Sequence, residues 1–306
     1  MLHLANTGVT INQIHNVYET PKGIASQWCN RGYHGSPEHN SRGVINRYLG
    51  YWDGNPATLI PLSPADSAPL YVEMMGGAEA IVAKGRELHD AGRYLEATET
   101  LNKLVQAEPE NESARDLMAD VFEQIGYQQE NPGLRDSFLQ GAFELRSGMP
   151  TALPPNTSGP DVIRAMTTEL FLDFVAIRMD SRKAEDMGFK ANLVTPDNGE
   201  QFVIELSSAT LTNIEGYQAE DADLTLTIDR ADLEQTMMGA KTLDAQIADG
   251  KAQVEGNPEV LAKLASILAS FAPIFEMLPG TARPVEAAPI DSYEVAPIPR
   301  AALGGE

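Results

Sequence analysis

Cysteine, long apolar runs and an N-terminal leader are all scarce or missing in this chain of 306 residues. The single cysteine, Cys29, cannot form an intrachain disulfide, and beside Trp28 we expect it to pack in a core rather than act as a nucleophile. No run of 18 apolar residues occurs, so we expect no membrane-spanning helix. The first residues lack the basic and apolar regions of a signal peptide, so a signal on an exported protein would lie further upstream.

Common catalytic and nucleotide-binding motifs are missing as well. The sequence contains no His-x-His, Cys-x-x-Cys or His-Glu-x-x-His metal motif and no Gly-x-Gly-x-x-Gly or phosphate-binding loop. No serine, histidine and aspartate can be argued to form a nucleophilic triad. These common motifs therefore do not identify a reaction for this protein.

Basic residues are few, at 22 against 44 acidic ones, and the formal net charge is −22. Residues 1–67 are balanced, with 4 of each, whereas residues 68–306 hold 40 acidic and 18 basic side chains. Such a surface repels nucleic acid and anionic lipid, so we expect neither as a partner. The acidic residues of 73–144 are most simply explained as a solvated helix face.

Short helices and turns are expected in residues 1–67. A capping box at Thr10 and Gln13 predicts a helix to about Glu19, and Thr20-Pro21 opens a second helix to about Trp28. A loop over residues 30–40 precedes a third helix, which starts near Ser41. Its apolar face comprises Val44, Ile45, Tyr48, Leu49 and Trp52, and a proline-rich linker follows it.

Residues 70–147 have a helical, repeat-like pattern. Small residues recur where helices would cross and a proline follows the second helix, as in tetratricopeptide repeats. About one and a half units are visible, which is too few for a free-standing solenoid. We therefore expect this region to pack on its neighbours or on a second copy, forming a homodimer.

The period of the pattern changes after residue 160. A helix is expected over Asp161–Met179, followed by strands joined by an Asp197-Asn198-Gly199 hairpin turn, further helices and a fifth strand. Residues 223–228 alternate between leucine or isoleucine and threonine, as expected of a half-buried strand. The pattern is typical of an α+β module with an antiparallel sheet.

Five histidines are the only candidates for metal chemistry. His34 and His39 share a glycine-rich loop. Two alternatives explain their presence there: the ordinary polarity of a loop, or metal binding. His39 precedes a helix N-terminus, whose dipole favours the neutral imidazole that a metal requires. His15 and His89 are expected at the surface of amphipathic helices.

Several stretches resemble a known family. RGYHGSPEHN at 31–40 and RYLGYWDGNPA at 47–57 are similar to the signature of the zinc-dependent alkyl sulfatases of the metallo-β-lactamase superfamily, and LAN at 4–6 matches the stretch just upstream. YVEMMGGA at 71–78 resembles the entry to that family's dimerisation domain. Residues 161–280, notably DLTLTI at 223–228, resemble its sterol-carrier-like C-terminal domain.

This resemblance implies a multi-domain organisation. Residues 1–67 would be the helical end of an αββα metallo-β-lactamase catalytic domain, and 68–150 an all-α, tetratricopeptide-like dimerisation domain. A linker at 151–160 would lead to the α+β sterol-carrier-like domain at 161–280, which binds alkyl chains. Residues 281–306 would form a proline-rich tail.

The resemblance also implies an activity. Bacterial family members hydrolyse long-chain alkyl sulfates such as dodecyl sulfate (SDS) to alcohol and sulfate, using water activated by two zinc ions. His39 matches the last histidine ligand, while His34, Tyr33 and Asn40 would lie in the substrate pocket or beside the ligands. Many relatives are exported, which suggests a periplasmic or secreted protein.

The chain departs from the family pattern in its catalytic part. The His-x-His-x-Asp-His motif and two glutamate ligands are absent, and His3 aligns with a sulfate-binding arginine. With at most one zinc ligand, the chain is expected to be inactive alone. The alternatives are a separately encoded catalytic partner, or a non-catalytic dimeric protein that binds lipids or alkyl chains. Chain length, branching and S–O versus C–O cleavage stay open.

Overall fold

The computed structural model describes residues 1–150, 159–272 and 274–282. The chain divides into two compact units, Met1–Ala152 with Ile274–Glu306, and Leu153–Pro273. We call their described parts the helical unit and the sheet unit. Residues 151–158 of the expected linker and 283–306 of the expected tail lie outside the described residues.

The helical unit begins with short elements whose boundaries differ from those expected. Gln13 accepts the Thr10 backbone N–H at 3.2 Å, as a capping box requires, yet the helix it opens ends after one turn, at Val17 rather than Glu19. The next helix ends at Ala25 rather than Trp28. The elements are α1 Leu2–Ala5, α2 Ile14–Val17, α3 Lys22–Ala25, a 3₁₀ turn Trp28–Asn30, α4 Pro37–Leu49 and a 3₁₀ turn Pro56–Thr58.

Helix α4 starts one turn earlier than the expected Ser41. Ser36 caps it, because the Ser36 hydroxyl accepts the His39 backbone N–H at 3.2 Å, and Pro37 occupies the tolerated first position. His39 therefore lies in the first turn of the helix and not before it. Of the expected apolar face only Ile45 is buried, and Tyr48 is exposed.

Cys29 is exposed, so the expectation that it packs in a core is wrong. It lies in the 3₁₀ turn beside Trp28, which is itself 76% exposed. His15 and His89, expected at the surface, are half-buried.

The predicted helical character of residues 70–147 is confirmed. The helices are α5 Pro64–Met74, α6 Ala78–Asp90, α7 Tyr94–Ala107, α8 Glu112–Tyr127 and α9 Pro132–Ser147. Asn111 and Asn131 cap α8 and α9 with their side-chain oxygens. Gly85 of α6 lies against Leu101 of α7, where a Cβ atom at position 85 would come within 2.8 Å of Cδ2. The lack of a side chain at Gly85 thus permits close packing of α6 on α7.

Glu144 contradicts the expectation that the acidic residues of 73–144 form a solvated face, because it is only 3% exposed. Its Oε1 accepts the backbone N–H groups of Met277 and Leu278 at 2.9 and 3.0 Å and the Thr281 hydroxyl at 2.6 Å. Leu278 packs on the core of the helical unit. The segment after the sheet unit therefore returns to helix α9.

The sheet unit opens with two helices, α10 Pro160–Ala165 and α11 Thr168–Arg178, instead of the single expected helix. The break comes at Thr167, whose hydroxyl accepts the Leu170 N–H at 3.1 Å and caps α11. The remaining elements are β1 Phe189–Thr195, β2 Glu200–Ser207, β3 Thr210–Glu215, β4 Leu224–Ile228, α12 Arg230–Met237, α13 Leu243–Ala248, β5 Ala252–Gly256 and α14 Glu259–Ile267.

The five strands form one sheet in the order β3-β2-β1-β4-β5. Strands β1 and β4 are parallel, with Ala191 opposite Leu224, and the other pairs are antiparallel. The sheet is therefore mixed, and the expected wholly antiparallel sheet is wrong at this pair. The cause is the crossover after β3, which carries β4 past β2 to the far side of β1.

The alternation predicted for β4 is confirmed, since Leu224, Leu226 and Ile228 are buried while the intervening threonines are half-buried. The buried faces of the strands pack against α11 and α14. Across residues 1–150, 159–272 and 274–282, no helix has the length and apolar character needed to cross a bilayer.

Candidate ligand cavity and the histidine loop

The sheet unit encloses a cavity of about 320 Å³ between its sheet and its helices. Side chains on the inner face of the sheet form one wall, among them Ala191, Leu193 and Leu224. Apolar side chains of α11 and α14, such as Val175 and Leu264, form the opposite wall. Ligand pockets typically measure roughly 300–1,000 Å³, so this cavity can hold an apolar ligand.

Four polar residues line the cavity, and three of them have partners. The Asn192 carboxamide donates to the Ala219 carbonyl at 3.0 Å and accepts the Ala219 N–H at 2.8 Å. Asn213 donates to the Asp173 carboxylate at 2.8 Å. The Thr212 hydroxyl lies 3.4 Å from the Glu205 carbonyl.

Thr236 is the exception among these four lining residues. Its hydroxyl oxygen is buried and has no hydrogen-bond partner among the described residues. A helical threonine commonly donates to the carbonyl four residues back, which here is that of Asp232, but no such bond forms. The Asp232 carbonyl accepts the Gln246 side-chain amide at 2.7 Å. Thr236 thus lines the cavity through its other atoms while its hydroxyl oxygen is out of reach of the cavity space, and none of the described lining residues is charged.

His39 lies on the wall of a separate groove in the helical unit, of about 560 Å³. The groove is otherwise mostly apolar, with Phe122, Phe138 and Leu278 on its walls. The His39 Nδ1 lies 3.3 Å from the Ser36 hydroxyl, which can accept a hydrogen bond from Nδ1–H in the tautomer that leaves Nε2 free to bind a metal. Ser36 therefore holds the exposed imidazole in an orientation compatible with ligation.

His34 and Asn40 line another concavity, together with Cys29 and Arg31. Tyr33 is not among its lining residues, and the Arg31 guanidinium lies 5.7 Å from the Tyr33 ring centre. The structure therefore brings His34 and Asn40 together and places His39 elsewhere.

The described residues of this chain do not fit a zinc site by themselves. No three histidine, cysteine, aspartate or glutamate side chains cluster within residues 1–150, 159–272 and 274–282. Catalytic zinc takes three protein ligands, and His39 is one donor.

Asp53 organises the turn after α4, where the sequence Asp53-Gly54-Asn55-Pro56 predicts a turn that ends the helix. Its carboxylate accepts the Thr58 hydroxyl at 2.7 Å, the Asn55 N–H at 3.0 Å and the Asn12 amide at 2.8 Å. The bond from Thr58, followed by that from Asn55, lowers the Asp53 pKa below its usual range. This part of the 47–57 stretch is thus explained by turn structure.

Sequence reasoning also missed Thr236 and the identity of the residues that line the cavity. The alternation along β4 was the one available signal, because it placed Leu224 and Leu226 on a common face. The crossover that sets β4 beside β1 is a long-range pairing with no local signal.

Two family models match the chain. The alkyl sulfatase dimerisation model covers residues 10–148, and the alkyl sulfatase C-terminal model covers residues 156–280. A linear primary-alkylsulfatase from Pseudomonas sp. is 40% identical over 270 residues, which are 88% of this chain and 40% of that relative. An (R)-specific secondary-alkylsulfatase from Pseudomonas sp. is 36% identical, over 90% of this chain and 42% of that protein.

The solved structure of the stereoselective inverting sec-alkylsulfatase Pisa1 from Pseudomonas sp. is also similar. It matches with a TM-score of 0.82 at 36% identity, over 90% of this chain and 43% of that one. The chain therefore spans about two fifths of the length of these relatives.

Proposed function

Because the chain belongs to the alkyl sulfatase family, we propose that it is the C-terminal part of an enzyme that hydrolyses long-chain alkyl sulfate esters to the alcohol and sulfate. The observation that carries this proposal is the apolar cavity of the sheet unit, which suits a long alkyl chain. In this proposal the sheet unit, within the sterol-carrier-like domain at 161–280, binds the chain of the substrate. Each methylene transferred from water contributes about 0.8 kcal/mol.

Residues 1–67 contribute one ligand to a metal centre in the proposed enzyme. Ser36 orients His39 so that Nε2 faces away from the capping bond. The other ligands come from protein outside the described residues, since a catalytic site needs at least three. Bound zinc would lower the pKa of a water molecule and so provide the nucleophile.

The helical unit, within the domain proposed at 68–150, pairs two subunits. Its helix α5 carries Leu70, Tyr71 and Met74 at exposures of 54%, 42% and 74%. Leu95 at the start of α7 is 72% exposed. A surface with several exposed large apolar side chains favours association, so light scattering should show a dimer at micromolar concentration, and a monomer would contradict this part.

The chain-length dependence of binding tests the role of the sheet unit. We expect the affinity of the full chain for n-alkyl amphiphiles, measured by calorimetry, to rise about fourfold per methylene until the cavity is filled. An affinity that does not depend on chain length would overturn the proposal. We also expect no release of sulfate from dodecyl sulfate by the chain alone with zinc added, and turnover would contradict the proposed division of roles.

A second candidate is a non-catalytic dimeric protein that binds lipids or alkyl chains. The single candidate zinc donor and the lack of a metal-binding cluster in the described residues favour it. The DNA upstream of Met1 distinguishes the two. An in-frame His-x-His-x-Asp-His stretch supports the sulfatase, whereas a stop codon with no gene for a catalytic partner supports the second candidate.

A further inference from the structure

The loop that carries His34 is tied to the helices of its own unit by an ion pair. The Arg31 guanidinium meets the Glu130 carboxylate at two points, with Nη2 2.5 Å from Oε1 and Nε 3.2 Å from Oε2. The two residues are 99 positions apart in the sequence. A two-point contact of this kind fixes the direction of both side chains as well as their distance. Glu130 therefore determines where residue 31 lies.

Glu130 stands on a well-supported connection between helices α8 and α9. On one side of it, the Arg135 side chain donates to the Gln129 carbonyl through Nε and Nη2, at 3.1 and 2.8 Å. On the other side, the buried Asn131 accepts the Leu134 N–H at 2.9 Å and so caps α9. Hydrogen bonds thus hold the backbone before and after Glu130, and its carboxylate is a fixed point for the loop.

The loop over residues 31–35, by contrast, belongs to no helix or strand. Inside it the Tyr33 N–H donates to the Arg31 carbonyl at 2.8 Å. A Cβ atom at Gly32 would come within 3.0 Å of the Gly35 carbonyl oxygen, so the turn is tight and requires glycine, which leaves the backbone much conformational freedom. The contact with Glu130 is therefore the means by which the ordered helices can fix this loop.

Arg31 is also part of the concavity that His34 and Asn40 line, as is Cys29 two residues earlier. Displacement of Arg31 would move the backbone between Cys29 and His34 and change the shape of this concavity. The ion pair contributes little to global stability, because its two side chains are 54% and 42% exposed. Its effect is expected in the loop and not in the unfolding of the chain.

We infer that Glu130 is a positioning residue for the candidate site, which acts through Arg31 to fix the loop that carries His34. The inference rests on the proposed function, because in that proposal the concavity of His34 and Asn40 belongs to an active site. It gives the proposed dimerisation domain a second role. The connection between α8 and α9 then controls the shape of a pocket that is lined by residues of 1–67.

A nitroxide spin label on Cys29 tests the inference in the full chain. Cys29 is exposed and is the one cysteine of the sequence, so the label attaches there alone. In Glu130→Ala we expect the rotational correlation time of the label to fall at least about twofold while the urea midpoint changes little. Glu96→Ala is the matched control, because it removes a similarly exposed ion pair, with Arg93, in the same unit and should leave the label unchanged.

Salt and a charge exchange give readouts that a packing role would not change. Ions screen the attraction between partly exposed charges, so raising NaCl from about 0.05 to 1 M should free the label in the unaltered chain and have little effect in Glu130→Ala. The double variant Arg31→Glu with Glu130→Arg restores an ion pair with its charges exchanged. It should regain most of the order of the label.

Equal mobility of the label in Glu130→Ala and in the unaltered chain would overturn the inference. So would a lower urea midpoint without any change in the label, since the pair would then serve stability alone. Neither result would affect the proposed function, which depends on the binding of alkyl chains by the sheet unit. If Glu130→Ala does not fold, the salt dependence of the unaltered chain decides, and a label that does not respond to salt contradicts the inference.

Discussion

The Thr281 hydroxyl lies 2.6 Å from the buried Glu144 carboxylate, across 137 positions of sequence. The same Oε1 atom accepts the N–H groups of Met277 and Leu278. The Met149 N–H donates in turn to the Thr281 carbonyl at 3.0 Å. One carboxylate therefore fixes the segment that follows the sheet unit onto the helix that precedes it.

Removal of this carboxylate should destabilise the helical unit. Glu144→Ala leaves the part-buried N–H groups of Met277 and Leu278 without their acceptor, while the Thr281 hydroxyl can still donate to the Leu278 carbonyl, so we expect a loss of about 2 kcal/mol in the free energy of unfolding. Far-ultraviolet circular dichroism in urea measures it, since helices α5 to α9 belong to this unit. Glu276→Ala is the control, because Glu276 accepts exposed N–H groups, and an equal loss there would contradict the special role of Glu144.

Two glycines in helices should respond to alanine with opposite signs. Gly85→Ala places a Cβ 2.8 Å from Leu101, so we expect a loss of about 1–3 kcal/mol through overpacking. Gly43 lies in the interior of α4 with nothing within 4 Å of the added atom, so Gly43→Ala should stabilise by up to about 1 kcal/mol. Urea midpoints measure both, and a shift of the same sign in the two variants would contradict the packing account.

Asp197 should make the sheet unit sensitive to acid. Burial opposes ionisation, but the N–H groups of Arg230 and Ala231 donate to the carboxylate at the start of α12 and lower its pKa. A lowered pKa in the folded state means that this stabilisation is present above about pH 4, the value in the unfolded chain, and is lost as the pH falls through the folded value.

Asp197→Ala should therefore cost about 1 kcal/mol at pH 7, the usual effect of losing a helix cap. Far-ultraviolet circular dichroism in urea measures it. Asp197→Asn keeps an acceptor without the charge. The difference in the free energy of unfolding between this variant and the unaltered chain should shrink below pH 4. A difference that grows in acid would show that the sign of the pKa shift is wrong.

Filling the cavity should abolish binding of alkyl chains. Ala191 is buried on the cavity wall, so Ala191→Phe places a ring in the space that a ligand would occupy. We expect at least a tenfold loss of affinity for 1-octanol in calorimetry. Ile214→Phe adds an aromatic ring on β3 at a position that is 59% exposed and outside the cavity, so it should bind normally. Equal losses in the two variants would place the binding site elsewhere.

Much of the fold was predictable because it depends on local signals. The Asp197-Asn198-Gly199 turn joins β1 to β2, and the alternation along β4 matches its buried face. The parallel pairing of β1 with β4 was missed because the path of the connection after β3 is a tertiary property. The role of Asp197 at the start of α12 was missed for a related reason, since its partners lie 33 and 34 residues away.

The candidate site was less predictable than the fold. The resemblance drew attention to His39, and the structure places it in the first turn of α4, beside Ser36. The zinc role of His39 stays a prediction, and so does the placement of His34, Tyr33 and Asn40 in the substrate pocket or beside the ligands. Glu144 and Thr236 could not be identified from sequence, because burial and the lack of a partner exist only once distant elements have packed.

The return of residues 274–282 to α9 makes the helical unit discontinuous in sequence. A protein cut before residue 160 would lose the partners of Glu144 and leave a buried carboxylate without its donors. Domain-exchange experiments should therefore replace residues 159–272 and keep the flanking segments on both sides. The sheet unit is inserted into the sequence of the helical unit and does not simply follow it.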